Sequence, residues 1–247
     1  MTYAVGVVAR FDNRGRGMIR YLPCAVFLAC GLVIASEAAA IEVTVGQTKL
    51  VLVAPKGFCP FDRRHSRDSQ LIDMMQQVTQ GTKEVLGAFA DCRRLKSWRA
   101  GITNELGGIF HYAVSLKAKN LDASALIEIP TMCARFRQQG AGIVKNAERA
   151  TAERIDEIKE LAGKIELNSM QMYGVLHEDS TGCYLGTVQK VKIEESVETM
   201  FNVNVLTVIK RKMIFAVHEG DFKDETIVQR SLAISRETVT AMLARNR

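Results

Sequence analysis

Short apolar segments with a two-residue repeat recur along most of the chain and predict β-strands. Residues 41–45 and 49–54 flank Gly46-Gln47-Thr48 and predict a β-hairpin. The same pattern returns in later segments, which we also interpret as strands. These are residues 85–92, 108–116, 182–193, 201–209 and 213–218.

A first helix is predicted soon after the hairpin. Leu71, Met75 and Val78 lie at i, i+4 and i+7, which is the spacing of one helix face. A polar residue ahead of them, Asp68 or Ser69, is expected to cap the helix N-terminus. We interpret this apolar stripe as core packing rather than as a set of metal ligands.

A longer helix is predicted over residues 130–164. Pro130 suits the first helical turn, and Gly140 with Gly142 predicts a break or kink. An apolar stripe with spacing 3, 4 and 3 continues the helical pattern to its end. Its members are Ile155, Ile158, Ala162 and Ile165.

A last helix is predicted from a capping Asp224 to Asn246, with an apolar stripe along one face. Strands in antiparallel pairs, with helices between and after them, favour an α+β fold. We therefore expect residues 41–247 to form a single α+β domain, with one antiparallel sheet covered by helices.

The first forty residues are predicted to be a secretory signal peptide. No charge lies between Arg20 and Glu37, residues 21–35 are apolar, and three alanines end at Ala40. Cleavage is expected before Ile41. The apolar run is shorter than the ~18 to 20 residues that span a bilayer, so an uncleaved membrane anchor is the alternative.

Two further features bear on this leader. Met18, followed by Ile19 and Arg20, begins a compact signal by itself, so we expect translation to start there. A lipid anchor on Cys30 is another alternative, but the apolar run continues to Ala35, past the cut that acylation requires.

Composition changes this picture in one respect. The 247 residues are 47% apolar and 24% charged, which excludes a disordered chain, a collagen and a multi-span membrane protein. The leader carries four arginines and two acidic residues, so its removal lowers the charge from +6 to +4. For an exported chain we expect no nucleic-acid partner. Anionic lipid, glycan or an envelope protein are the expected partners, and the oligomeric state stays open.

Four cysteines remain after cleavage and are expected to form disulfides in an oxidising compartment. They are Cys59, Cys92, Cys133 and Cys183. Three pairings are open, and buried free thiols are the alternative. No C-x-x-C spacing is present, so the sequence indicates neither a zinc ribbon nor a thioredoxin-type redox site.

The order of predicted elements, together with Pro55, Gly57 and Phe58 in a Pro-x-Gly-Phe motif, is similar to that of uncharacterised exported bacterial proteins of a PsbP-like α+β type. The resemblance covers most of residues 41–247. It implies one antiparallel sheet covered by helices and a binding or assembly role, and it implies no catalytic residues.

Motifs of catalytic chemistry are absent. The sequence has no G-x-S-x-G, H-E-x-x-H, G-x-G-x-x-G or P-loop pattern, and we predict neither a metal nor a cofactor. The four histidines are far apart in sequence: His65, His111, His177 and His218. Residues 179–182, D-S-T-G, differ from the D-[ST]-G of aspartic proteases in the position of the glycine and predict a turn.

Two basic segments each follow a cysteine. If the strand, helix, strand stretch returns with both strand ends on the same side, Cys59 meets Cys92, and we hypothesise a disulfide between them. One cationic surface would then form, with Trp98 at its edge. Its basic members are Lys56, Arg63, Arg64, Arg67, Arg93, Arg94, Lys96 and Arg99. Guanidinium groups suit phosphates and carboxylates, whereas the alternative is a pair of solvated, mutually repelling loops.

The function expected from the sequence is a non-enzymatic binding or assembly protein of the cell envelope, located in the periplasm, with a basic surface for anionic ligands. The alternative is an exported hydrolase with a dispersed His, Asp and Ser site. A cleft that gathers two histidines and a carboxylate would favour the hydrolase. A basic surface without a polar pocket would favour the binding protein.

Overall fold

The computed structural model describes residues 39–122, 128–157, 165–193 and 196–247. All of them belong to the unit Glu37–Arg247. Residues 1–38 of the predicted signal peptide, including the expected start at Met18, lie outside the described residues, as do residues 158–164 of the predicted long helix.

Nine strands and four helices follow one another in the described residues. The strands are β1 (Ala40–Val45), β2 (Thr48–Val53), β3 (Phe58–Pro60), β4 (Lys83–Asp91), β5 (Ile109–Ser115), β6 (Ile165–Asp179), β7 (Gly182–Ile193), β8 (Ser196–Ile209) and β9 (Lys212–Asp221). The helices are α1 (Ser66–Val78), α2 (Cys92–Arg99), α3 (Ile129–Glu157) and α4 (Thr226–Arg245).

Seven of the strands form one sheet in the order β3-β4-β5-β9-β8-β7-β6, and every neighbouring pair is antiparallel. Strands β1 and β2 form a separate antiparallel hairpin. The last strand of the chain, β9, therefore lies at the centre of the sheet. This architecture confirms the predicted α+β class with a large antiparallel sheet.

The first face of the sheet is covered by the hairpin and by α4. Alternation along each strand places one set of side chains on this face, and this set includes the five largest fully buried side chains of the described residues. The set includes Phe89, Phe110, Tyr112, Tyr184, Phe201, Val203, Val205 and Ile214. The Tyr112 hydroxyl donates to the Val53 carbonyl at 2.7 Å, which satisfies the one polar atom of that buried ring and ties β5 to the hairpin.

The second face carries the other three helices in two groups. Helices α1 and α2 pack over the β3 and β4 side, around Ala88, Ala90 and Leu95. Helix α3 packs over β6 and β7 on the other side, with Met132 against Leu185. The strands between these two groups carry polar side chains on this face, among them His111 of β5 and Glu219 of β9.

Several predicted elements are confirmed and three predictions are wrong. The hairpin, α1, α4 and the predicted strands are present. Helix α3 runs unbroken through Gly140 and Gly142. Gly140 instead allows a close approach to β6, since a Cβ there would clash with the Met172 sulfur. Ile165 belongs to β6 and not to a helix.

The third wrong prediction concerns the start of α1. The helix begins at Ser66 rather than behind a capping Asp68 or Ser69. Asp68 lies inside the first turn, fully buried, and its carboxylate accepts a hydrogen bond from the Asp62 backbone N–H at 2.7 Å. In this position Asp68 forms an ion pair with Arg99 of α2.

Candidate functional site

The hypothesised disulfide between Cys59 and Cys92 is present, with sulfurs 2.05 Å apart and Cα atoms 4.9 Å apart. The reason differs from the one expected, because β3 and β4 are antiparallel neighbours rather than strands that end on the same side. Cys59 pairs in register with Ala90, two residues before Cys92 at the start of α2. The disulfide therefore joins the first basic segment to the second.

The other two cysteines form a second disulfide. Cys133 of α3 and Cys183 of β7 are both fully buried, with Cα atoms 5.6 Å apart. Of the three open pairings, the structure thus selects Cys59–Cys92 with Cys133–Cys183. Buried free thiols are wrong for all four positions.

The second basic segment is a two-turn helix, α2, which the sequence analysis did not predict. Its N-terminus is capped by the Asp91 carboxylate, which accepts from the backbone N–H groups of Arg93 and Arg94 at 3.0 Å each. Leu95 and Trp98, at i and i+3, point into the core. The basic side chains of α2 therefore divide between a buried and an exposed side.

Trp98 does not lie at an exposed edge, so that part of the hypothesis is wrong. Only 8% of Trp98 is exposed, and its ring meets that of Phe61 edge-on with centroids 6.2 Å apart. The Arg67 guanidinium lies 4.6 Å from the indole centroid and donates to the Trp98 carbonyl. Arg67 and Trp98 thus bind each other, which removes the indole from any membrane or sugar contact.

Arg99 is also engaged internally. Its guanidinium donates to the Asp68 carboxylate, with Nη2 to Oδ2 at 2.5 Å, and to the Pro60 carbonyl at 3.0 Å. Asp68 is fully buried and the Arg99 side chain is 25% exposed. This ion pair joins α2 to α1 and has a structural role.

Three more arginines of the predicted surface are paired with carboxylates. The pairs are Arg63–Asp73 at 2.6 Å, Arg64–Asp62 at 2.5 Å and Arg94–Glu105 at 3.3 Å. The hydrogen bond from the Arg64 side chain holds the pKa of Asp62 well below its usual range, so the carboxylate stays ionised. An external anion would have to compete with these internal carboxylates.

Lys56, Arg93 and Lys96 are exposed and have no ion pair within the described part of the chain. Lys56 lies beside the first turn of α2, because the Cys92 backbone N–H donates to the Gly57 carbonyl at 3.0 Å. We call Lys56, Arg93 and Lys96 the cationic surface. It is smaller than the one expected from the sequence, since the other basic residues are committed elsewhere.

The four histidines are not gathered into one site. His65 is exposed ahead of α1. His111 on β5 and His218 on β9 lie on opposite faces of the sheet, because His111 pairs in register with Val217. His218 packs between aromatic rings, with centroids 6.0 Å from Phe58 and 6.2 Å from Phe110.

His177 lies beside the β6–β7 turn, where the Asp179 carboxylate accepts several hydrogen bonds. Asp179 accepts from the Thr181 backbone N–H at 2.8 Å, from the Gly182 N–H at 3.2 Å and lies 3.0 Å from His177 Nε2. Burial would raise the pKa of Asp179, but the hydrogen bonds from Thr181 and His177 lower it overall. The turn predicted at residues 179–182 is therefore confirmed. The cleft with two histidines and a carboxylate that would favour a hydrolase is not found among the described residues.

Sequence reasoning missed a polar pair on the second face of the sheet. His111 Nδ1 lies 3.7 Å from Glu219 Oε1. Burial lowers the pKa of His111 to about 4, with a further contribution from the charge of Lys83, and burial raises the pKa of Glu219 to about 7. The sequence signal that could have identified this pair is His111 itself, a polar residue within the otherwise apolar strand β5.

The described residues contain no group of three or more His, Cys, Asp and Glu side chains arranged to hold a metal ion. In the same ranges, none of the helices is both long enough and apolar enough to cross a membrane.

Comparison with known proteins identifies no family for this chain. No protein-family model matches the sequence, and no curated protein matches it. The crystal structure of the Saccharomyces cerevisiae Ran-binding protein Mog1p is similar over 85% of this chain and 95% of that chain, with a TM-score of 0.32 and 12% sequence identity. A similarity at this level carries no functional argument.

Proposed function

We propose that this chain is an exported binding or assembly protein of the cell envelope, which uses its cationic surface to bind anionic lipid headgroups. The single observation that carries the proposal is the Cys59–Cys92 disulfide, which fastens the exposed Lys56, Arg93 and Lys96 around the start of α2. The order of elements supports the further proposal that the chain is a PsbP-like exported protein.

Two disulfides support an oxidising, exported location. Such bonds persist in the periplasm and outside cells and are rare in the cytosol. Together with the apolar segment at residues 21–35, they favour a periplasmic protein over a cytosolic one.

The chemistry of the cationic surface favours phosphate-bearing ligands. A guanidinium offers a planar fork of donors that matches phosphate oxygens, and two ammonium groups add point charges beside it. All three side chains are exposed, so the attraction is screened within ~8 Å at physiological salt. Binding is therefore expected to weaken steeply as salt is added.

The test is co-sedimentation of the mature protein, purified from the periplasmic fraction, with vesicles. N-terminal sequencing of that fraction first shows whether the chain begins at Ile41. Vesicles containing phosphatidylglycerol should bind the protein at low salt, and pure phosphatidylcholine vesicles should not. Charge reversal in the double variant Arg93→Glu/Lys96→Glu should weaken binding at least tenfold.

The matched control is Lys190→Glu/Lys223→Glu, which changes the net charge equally at two exposed positions away from α2. Equal loss in both variants would reduce the effect to net charge and overturn the proposed surface. Absence of binding by the unaltered protein would overturn the lipid proposal. Binding only to envelope glycans or proteins would have the same consequence.

A further inference from the structure

A row of polar side chains lies on the second face of the sheet, across its central strands. In register, Glu219 of β9 lies opposite Ile109 of β5 and Asn202 of β8, and Asn202 lies opposite Thr187 of β7. His111 and Asn204 occupy the next row, on either side of Val217. We call His111, Glu219, Asn202, Asn204 and Thr187 the polar floor.

On the opposite face of the same strands, the neighbouring side chains are large and apolar. Phe110, Tyr112, Phe201 and Val203 fill that face and are fully buried. A face built only for packing would carry similar residues on both sides. The polar floor is therefore a local departure from an apolar sheet.

The polar floor contains two buried polar atoms that have no hydrogen-bond partner among the described residues. Asn202 is only 3% exposed, yet its Oδ1 atom has no hydrogen-bond partner among the described residues. His111 Nδ1 also lacks one, since Glu219 Oε1 is 3.7 Å away. A buried polar atom without a hydrogen-bond partner destabilises the folded state, so such atoms call for an explanation.

The floor lies between the two helix groups of the second face. Helix α1 packs on β4 and α3 packs on β6 and β7, and the two helices also contact each other. The strands β5, β9 and β8 run between the helices that cover the two sides of the sheet. The Glu219 side chain is 28% exposed and the His111 side chain is 11% exposed. The Glu219 carboxylate is therefore more open to solvent than the His111 imidazole.

The neighbouring groups decide the charge of the ligand. Lys83 Nζ lies 4.3 Å from the centroid of the Phe215 ring, four residues before Glu219 on β9, and its charge contributes to the lowered pKa of His111. His111, with its lowered pKa, is uncharged at neutral pH and presents an imidazole rather than a cation. Above pH 7, where Glu219 is ionised, the floor therefore offers a carboxylate, an amide oxygen and a neutral ring nitrogen.

We propose that the polar floor binds the ammonium group of a small organic amine. A primary ammonium carries three N–H donors on one atom. It can satisfy Glu219, Asn202 Oδ1 and His111 together and supplies the positive charge that the Glu219 carboxylate lacks. An anion would instead meet the Glu219 carboxylate. This site is separate from the cationic surface on α2 and does not depend on it.

The experiment is an NMR titration of the ¹⁵N-labelled mature protein at pH 8, where Glu219 is ionised, with n-butylamine as the probe. Backbone amides around Glu219, Asn202 and His111 should shift in a saturable way. The neutral isostere 1-butanol should bind at least tenfold more weakly, because it has one donor and no charge.

Glu219→Gln should abolish the saturable shift. Asn202→Ala keeps the carboxylate and removes only the amide oxygen, so it should weaken binding without abolishing it. The matched control is Glu198→Gln, an exposed acid on β8 four residues from Asn202, which should bind the amine normally. Arg93→Glu/Lys96→Glu should also bind it normally, so failure of the lipid proposal leaves this test intact. The inference is overturned by no saturable shift, by equal binding of 1-butanol, or by unchanged binding in Glu219→Gln.

Discussion

Asn246 and Val51, 195 residues apart in sequence, exchange two hydrogen bonds through one side chain. The Val51 backbone N–H donates to Asn246 Oδ1 at 2.9 Å, and Asn246 Nδ2 donates to the Val51 carbonyl at 2.8 Å. The same Nδ2 also donates to the Met242 carbonyl at 2.8 Å. The amide thus acts as a short strand neighbour to β2 and fastens the end of α4 to the hairpin.

Replacing Asn246 by alanine should destabilise the protein. The change removes three hydrogen bonds at a residue only 5% exposed, so at about 1 kcal/mol each we expect the free energy of unfolding to fall by about 2 to 3 kcal/mol. Urea unfolding measures it, and Arg247→Ala at the exposed C-terminus is the control. A variant as stable as that control would contradict the assigned role.

The ion pair between Asp68 and Arg99 predicts a larger effect than the ion pair between Arg63 and Asp73. Asp68→Asn leaves the Arg99 guanidinium partly buried without a counter-charge, which costs about 3 to 5 kcal/mol for a buried pair. Asp73→Asn breaks an exposed pair worth about 0 to 1 kcal/mol. Thermal and urea unfolding of the two variants should differ accordingly, and equal costs would refute the distinction.

Local patterns were sufficient to predict the hairpin, α1 and α4, because each has an uninterrupted repeat. The Cys59–Cys92 disulfide also followed from the order of elements, although β3 and β4 proved antiparallel. Strand β6 was missed for a physical reason. Three register shifts interrupt its pairing with β7, and they destroy the two-residue repeat that identifies a strand.

The candidate site was predictable only in part, because its key contacts are non-local. Asp68 and Arg99 lie 31 residues apart, and nothing near Arg99 in sequence indicates a buried carboxylate. Trp98 was placed at a surface because its neighbours are basic, yet its spacing of three from Leu95 directs both into the core. Charge along a segment says little about which side chains remain free in the fold.

The two disulfides should differ in how fast they are reduced in the folded protein. Cys59 and Cys92 are half-buried, whereas Cys133 and Cys183 are fully buried. Since a thiolate must reach a sulfur atom, dithiothreitol should open Cys59–Cys92 first under native conditions. Timed alkylation followed by peptide mass mapping gives the order, and reduction of Cys133–Cys183 first would contradict the prediction.

His218 should make the protein less stable in acid. Burial lowers its pKa to about 4 from the usual 6.5, so the unfolded chain takes up a proton in this interval while the folded protein does not. Stability is therefore lost as pH falls from 6.5 to 4, by about 3 kcal/mol. Urea unfolding across that range should show a smaller acid loss in His218→Phe, with the exposed His65→Phe as control. An identical pH profile in His218→Phe would contradict this.

The β8–β9 turn offers a stabilising substitution. Lys210 and Arg211 have φ of 43° and 66°, in the left-handed region that side chains other than Asn and Gly adopt at a cost of about 1 kcal/mol. Lys210→Asn should raise the free energy of unfolding by up to about 1 kcal/mol, since it relieves that cost and leaves the Arg211–Asp122 ion pair in place. Lys223→Asn, at an exposed position outside a left-handed turn, should have no such effect. If urea unfolding finds equal changes in both variants, conformational strain at Lys210 is not the cause.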